Sequence, residues 1–178
     1  NTSKVISTVV PTYSGPAAAE YKDQNYSTRG TGVTPENEAV NNVHPIQGRF
    51  FNQDEMERRA RVCVIGATVH EKLFGNQSPI GETILINSKR FDVIGLLEAK
   101  GEGWSSPDDQ IFMPLTTAQE RMYGVDYLST VLAQMRSPKD YDEALFDIEN
   151  ILRRNHRLRP DQENDFEVRR QDLFLSTI

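Results

Sequence analysis

Apolar residues recur along this chain with two different periods, and each period predicts a different kind of element. Residues Thr83–Asn87 alternate with Ile84 and Ile86 on one side, and the apolar run Phe91–Leu97 follows after the polar turn Ser88–Arg90. Since a period of two is that of a half-buried strand, this stretch predicts a β-hairpin.

Other stretches rich in β-branched residues predict further strands. The first should stop at Pro11, which has no backbone N–H to donate. A second hairpin should turn near Lys22–Asn25, and a loop should run from Pro45 to Gly48. The single strands are predicted at Val5–Val10, Arg61–Ile65, Ile111–Met113, Leu128–Met135 and Phe166–Arg169.

Helical spacing is clearest after Asp140, which with Glu143 forms a capping motif. The apolar positions that follow recur every three or four residues, as one face of a helix requires, at Tyr141, Ala144, Leu145, Ile148, Ile151 and Leu152. Strand, helix and strand in this order predict a right-handed β-α-β unit, which should pair with the first strand.

Three shorter helices are predicted from cap residues. One should span Pro35–Val40. Two more should open on capping boxes, Thr68 with Glu71 and Thr117 with Glu120, and end at Gly75 and Gly124. Asp54 is predicted to cap a charged turn, and the aromatic pair Phe50–Phe51 before it is predicted to be buried.

Charge and apolar run length exclude several classes of protein. The chain has 20 basic and 26 acidic residues for a net charge of -6, which argues against nucleic acid as a partner. Its longest apolar runs fall far short of the roughly 18 residues needed to span a bilayer. The single cysteine, Cys63, lies in an apolar run and is predicted to be buried and unreactive. A start at Asn1 without Met, and an end within an apolar pattern from Leu173, are typical of a soluble piece of a longer protein.

Candidate chemistry is sparse. Gly66 turns a strand into a helix, but neither G-x-G-x-x-G nor a P-loop accompanies it, which argues against cofactor binding. His44, His70 and His156 lack the spacing of a zinc site, and G-x-S-x-G is absent. We therefore predict no catalytic, cofactor-binding or metal-binding residues.

Adjacent Asp108 and Asp109 could bind a cation or act as an acid/base pair, although neighbouring side chains in an extended segment point to opposite sides. Turn chemistry favours a structural role for both. The loop before them carries the only tryptophan, and we predict a partner contact at Trp104 with Gly101 and Gly103, because aromatic residues on loops often anchor partners. A Trp104 folded back onto the domain is the competing interpretation.

Five segments in order carry a resemblance to a known family. They are GRFFNQD at 48–54, RVCVIGATVHEKLFG at 61–75, SPIGETILINSKRFDVIGLLEAKG at 78–101, SPDDQIFMPLTTAQERMYG at 106–124 and ILRRNH at 151–156. Together they resemble the extracytoplasmic core domain of MacB-like ABC transporter permeases, over roughly residues 28–175. Cys63 stands where the family more usually has an aliphatic residue.

The resemblance implies an α+β fold in two parts. A porter-like β-α-β subdomain would be built from both chain ends, residues 1–32 and 125–178, with a smaller α+β subdomain inserted over residues 33–124. The whole protein would be an inner-membrane transporter, with this domain periplasmic and inserted between its first two membrane helices.

The resemblance also implies a mechanism and partners. ATP would be used by a cytoplasmic domain outside this chain, and a homodimer would pass its movement to substrate, an adaptor protein and an outer-membrane channel. This domain would be non-catalytic. Two alternatives stay open: a lipoprotein-release permease of the same superfamily, and a free-standing small-molecule-binding or hydrolytic domain that uses Asp108 and Asp109.

Overall fold

Eight strands and four α-helices make up the described part of the chain. The computed structural model describes residues 6–101, 106–125, 128, 130–135, 141–155, 158–161 and 163. In chain order the elements are β1 (Ile6–Tyr21), β2 (Gln24–Val33), α1 (Asn37–Val40), β3 (Pro45–Gly48), α2 (Gln53–Glu57), β4 (Val62–Ile65), α3 (Ala67–Phe74), β5 (Thr83–Ile86), β6 (Lys89–Leu97), a 3-10 turn (Pro107–Asp109), β7 (Ile111–Pro114), a π-helical segment (Thr117–Tyr123), β8 (Thr130–Met135) and α4 (Tyr141–Asn155).

Six of the strands form a closed ring through their pairings. Around the ring the neighbours are β1, β2, β7, β4, β6 and β5, and β5 pairs with β1 again. Both β2–β7 and β4–β6 are parallel, and the other pairs in the ring are antiparallel. Strand β3 adds to β6, and β8 is the neighbour of β1. Because closure leaves few unpaired strand edges, this ring is a stable frame.

The chain divides into two compact units, residues 9–132 and residues 1–8 with 133–178. The division at residues 32 and 124 that the family resemblance implies stays a prediction. In the structure β1 pairs with β2 from Thr12↔Val33 onward, and β2 pairs with β7 from Gly30↔Ile111 onward. That pairing places the hairpin with the larger unit.

Two predictions about prolines are wrong. Strand β1 continues through Pro11, which lies just before Thr12, the first residue of β1 that pairs with β2, so its missing N–H breaks no β1–β2 bond. The stretch from Pro45 to Gly48 is strand β3 rather than a loop, and it pairs antiparallel with β6. Strand β3 lacked a local signal because its partner, β6, is distant in sequence.

The predicted hairpin at residues 83–97 is confirmed with a shorter turn. Its two central residues are Asn87 and Ser88, with φ angles of 51° and 68°, and Ile86 pairs directly with Lys89. Positive φ at both positions is typical of the tight turns that match strand twist, and asparagine tolerates it well.

Helix ends follow contacts that the cap motifs did not predict. Helix α3 begins at Ala67, so Gly66 is its cap and no side chain caps it; the predicted box at Thr68 and Glu71 is wrong. The predicted box at Thr117 is also wrong, because its buried hydroxyl donates to the Ala60 carbonyl oxygen at 2.7 Å.

The predicted helix ends at Gly75 and Gly124 are confirmed, and both glycines have φ of 61°. The first helix is one turn, Asn37–Val40, within the predicted Pro35–Val40.

Two apolar cores cover the two faces of the sheet. On β4, Cys63 and Ile65 belong to one core and Val64 to the other, with all three fully buried. Phe50 and Phe51 are buried in the second core, as predicted. Burial of Cys63 raises the pKa of its thiol, which keeps it protonated and unreactive.

Helix α4 is confirmed, and its stripe residues Leu145, Ile148 and Ile151 are half-buried. Its Phe146 is 66% exposed. The predicted strand Phe166–Arg169 and the apolar tail from Leu173 lie outside the described residues.

A capping box that sequence inspection missed holds α2. The Asn52 side chain accepts from the Glu55 amide at 2.9 Å, and the Asn52 amide donates to Glu55 Oε1 at 3.0 Å. Asn52, rather than Asp54, is therefore the cap. Arg49 adds two bonds to the same buried carboxylate, at 2.6 and 3.1 Å. Hydrogen bonds from Arg49 lower the pKa of Glu55; burial opposes this shift, and the Asn52 amide adds to it.

This lowered pKa predicts a pH-dependent effect of Glu55→Gln. A carboxyl whose folded pKa lies below its unfolded value stabilises the fold above about pH 4.3, and the contribution disappears as pH falls through the folded pKa. We expect the variant to be less stable than the wild type by about 1–2 kcal/mol at pH 7 and the gap to shrink in acid. Urea unfolding from pH 7 to pH 3 measures this stability difference and its change with pH. A difference that does not change with pH would contradict the lowered pKa of Glu55.

Candidate functional site

The side chain of Asp108 holds the base of the predicted contact loop by hydrogen bonds. Its two carboxylate oxygens accept the backbone amides of Lys100 at 2.8 Å and Gly101 at 3.0 Å. The Ser106 hydroxyl donates to the Gly101 carbonyl oxygen at 2.5 Å and accepts the Asp108 amide at 3.2 Å. The two ends of the loop are therefore joined by hydrogen bonds around one buried carboxylate.

The predicted contact residues are only partly described. Gly101 is exposed, has φ of 100° and has no atom within 4 Å of where a Cβ would lie. Trp104 and Gly103 lie outside the described residues. Nothing in the structure tests a partner contact there, and that contact stays a prediction.

Asp109 faces different partners from Asp108. Its carboxylate accepts the Thr28 hydroxyl at 2.7 Å and lies beside Tyr26. The pKa of Tyr26 is raised, first by burial and then by its hydrogen bond with Asp109. Because one carboxylate serves the loop base and the other serves β2, the geometry does not present the two as an acid/base pair.

Gly66 is the glycine that allows the loop base to pack against the sheet. Its amide donates to the Gln110 carbonyl oxygen at 3.0 Å. A Cβ at this position would lie 2.2 Å from the Pro107 carbonyl oxygen and 2.3 Å from that of Asp108. The strand-to-helix turn thus approaches backbone of its own chain, where a nucleotide-binding turn would approach phosphate.

Within the described ranges, no group of three His, Cys, Asp or Glu side chains is placed to hold a metal ion. Among the same residues, no helix combines the length and apolar character needed to cross a membrane.

Two solved structures share this fold. The periplasmic region of MacB from Actinobacillus actinomycetemcomitans aligns with a TM-score of 0.82 at 19% identity, covering 99% of this chain and 77% of that one. The extracellular domain of the noncanonic ABC-type transporter YknZ from Gram-positive bacteria aligns with a TM-score of 0.77 at 22% identity, covering 86% and 78%. The fold is therefore the mixed α+β fold of extracytoplasmic domains from ABC-type transporters.

The family follows from sequence. The model of the MacB-like periplasmic core domain matches residues 1–151, and this chain belongs to that family. It is 38% identical over 161 residues to the macrolide export ATP-binding/permease protein MacB of Bdellovibrio bacteriovorus, covering 90% of the chain and 25% of that protein. It is 30% identical over 158 residues to the pyoverdine export ATP-binding/permease protein PvdT of Pseudomonas syringae pv. syringae, covering 87% of the chain and 24% of that protein. The chain spans about a quarter of the length of these curated relatives.

Proposed function

We propose that this chain is the non-catalytic periplasmic domain of an export permease of the MacB type. In this proposal, ATP hydrolysis in a cytoplasmic domain drives the movement of a homodimer, and the periplasmic domains transmit that movement to substrate. An adaptor protein and an outer-membrane channel would receive the substrate. The domain's own residues would bind no ATP and carry out no reaction.

The division of the chain into units is the observation that carries this proposal. Residues 1–8 and 133–178 form one compact unit from both ends of the sequence, and residues 9–132 form the other. The chain enters the larger unit along β1 and leaves it along β8, and these two strands are neighbours in the sheet. We propose that the unit with both chain ends is the core of the porter-like subdomain.

The frame of the larger unit supports a mechanical role. Its six-stranded ring is closed by the β1–β2 and β1–β5 pairings, and apolar cores cover the sheet. Close-packed protein interiors have low compressibility and transmit strain. Such a unit would move as one piece.

Export is favoured over lipoprotein release by the relatives. Those at 30–38% identity are named as macrolide or pyoverdine exporters. The hydrolytic alternative loses its support in the geometry, because Asp108 and Asp109 have separate structural partners.

An ATPase assay on the 178-residue chain tests the non-catalytic part of the proposal. We expect no phosphate release above the buffer blank and no nucleotide binding by calorimetry. A transporter with its own nucleotide-binding domain serves as the positive control. Hydrolysis that co-purifies with the folded chain through several columns would contradict the proposal.

A further inference from the structure

A segment that we call the strap, residues 115–125, crosses the β1–β2 hairpin. Its beginning is anchored in the core: Thr117 and Ala118 are fully buried, and the Thr117 hydroxyl donates to the Ala60 carbonyl oxygen. The Thr116 hydroxyl donates to the Met56 carbonyl oxygen at 2.5 Å. The start of the strap cannot leave the sheet without opening the core.

The hairpin carries a glycine track that fits the strap. Gly15 pairs directly with Gly30 across β1 and β2. A Cβ on Gly15 would lie 2.6 Å from the Tyr123 ring, and one on Gly30 would lie 2.7 Å from its hydroxyl oxygen. Two residues further along β2, a Cβ on Gly32 would lie 2.5 Å from Cβ of Ala118. The alternating glycines of this strand therefore leave room for the strap.

Beyond Met122, which is buried in the core, the side-chain hydrogen bond of the strap is more exposed than those at its beginning. The Tyr123 hydroxyl donates to the Pro16 carbonyl oxygen at 2.9 Å, and Lys89 Nζ donates to the Arg121 carbonyl oxygen at 2.5 Å. Both bonds are exposed to solvent. The π-helical segment then ends at Gly124 in the left-handed conformation.

We propose that Tyr123 is a latch: it holds the end of the strap on the Gly15–Gly30 pair, and this end opens and closes as a local unit without unfolding the domain. The asymmetry of the anchoring supports this, since Met122 stays in the core while opening from Tyr123 to Val125 lifts one half-buried ring off the glycine pair and Tyr13. It breaks the exposed bond to Pro16 and the bond from the Val125 amide to the Gln119 carbonyl oxygen. Such sparsely anchored segments open locally at low cost, whereas core strands exchange only by global unfolding.

The latch has a consequence that rests on the proposed function. The strap precedes β8, along which the chain passes from the larger unit, residues 9–132, into the other. If the proposed function holds, a closed latch would restrain the end of the strap during transport, and an open latch would release it.

Hydrogen exchange of the 178-residue chain, measured by NMR or mass spectrometry at increasing sub-denaturing urea, tests the latch. Amides of Tyr123–Val125 should exchange by a route insensitive to urea, while those of β4 should follow global unfolding. Tyr123→Phe keeps the ring and loses one hydrogen bond, so exchange at the strap end should rise about fivefold. Tyr26→Phe is the matched control, since it removes a tyrosine hydroxyl from the same sheet at a distance from the strap, and it should leave strap exchange unchanged.

Two results would overturn the latch: strap-end amides that exchange only with global unfolding, or a Tyr123→Phe effect spread equally over all protected amides. Gly15→Ala, which displaces the ring, gives an independent check and should raise strap-end exchange at least as much as Tyr123→Phe.

The transport consequence has its own readout. In the complete transporter, Tyr123→Ala should lower the amount of substrate exported per ATP hydrolysed while hydrolysis continues. An unchanged ratio, with local opening still seen by exchange, would overturn the coupling role and leave both the latch and the proposed function standing.

Discussion

Gly66→Ala should destabilise the domain by about 3 kcal/mol, at the upper end of the usual cost of overpacking. The new Cβ would lie 2.2 Å from the Pro107 carbonyl oxygen and 2.3 Å from that of Asp108. Both are backbone atoms, so neither can turn away as a side chain would. The loop base would have to move off β4 and α3, breaking the bond between the Gly66 amide and the Gln110 carbonyl oxygen at 3.0 Å.

Thermal unfolding measures this effect, with Tm expected to fall by roughly 6–12 °C for a chain of this size. Gly124→Ala is the matched control. Gly124 has φ of 61° and no atom within 4 Å of a Cβ, so alanine there adds backbone strain alone, about 1 kcal/mol. Equal losses for the two variants would contradict the close approach at Gly66.

Asp108→Ala should be the second most damaging change, with a loss of about 2–3 kcal/mol. It would leave the amides of Lys100 and Gly101 without their acceptors, at a site where Asp108 itself is only 8% exposed. Removing a charged acceptor from two donors costs more than removing a neutral one. Asp108→Asn keeps one carbonyl oxygen and should lose about half as much.

Asp109→Ala provides the comparison within the same turn. Asp109 is exposed, and its partners Thr28 and Tyr26 can turn to water, so the loss should stay below about 1 kcal/mol. Urea unfolding of Asp108→Ala, Asp108→Asn and Asp109→Ala measures the three losses of stability and ranks them. If Asp109→Ala proved as damaging as Asp108→Ala, the different structural roles assigned to the two carboxylates would be wrong.

Local sequence patterns predicted local elements well. The alternation at Ile84 and Ile86 predicted the hairpin, and the spacing after Asp140 predicted α4. The apolar sequence around Cys63 predicted its burial. In each case the signal and the structure lie within a few residues of each other. The family resemblance, carried by ordered segments from residue 48 to residue 156, is confirmed by the family match.

Features that depend on distant residues were not predictable from the sequence alone. Strand β3 is defined by its pairing with β6, and the closed ring depends on parallel pairings that no short pattern specifies. Gly66 looked like a turn residue because its close neighbours, Pro107 and Asp108, are some forty residues away. The two cap motifs at Thr68 and Thr117 failed for the same reason: packing, rather than local bonding, sets where those helices begin.

The alternating glycines of β2 were a signal that could have been used. Gly30 and Gly32 stand two residues apart in a strand pattern, which places both on one face of the sheet. Glycine within a strand often marks the close approach of another segment. This spacing could have indicated that another segment packs there, although the identity of Tyr123 and Ala118 required the structure.

The most direct test of the proposed function measures ATP hydrolysis and export together in the complete transporter, reconstituted in proteoliposomes. One variant has residues 9–132 replaced by a short flexible linker, and the transported probe is a macrolide or pyoverdine, whichever the wild type exports. We predict that hydrolysis persists while export falls to the level of liposomes without ATP. If the variant exported as much substrate per ATP hydrolysed as the wild type, a coupling role for this domain would be contradicted.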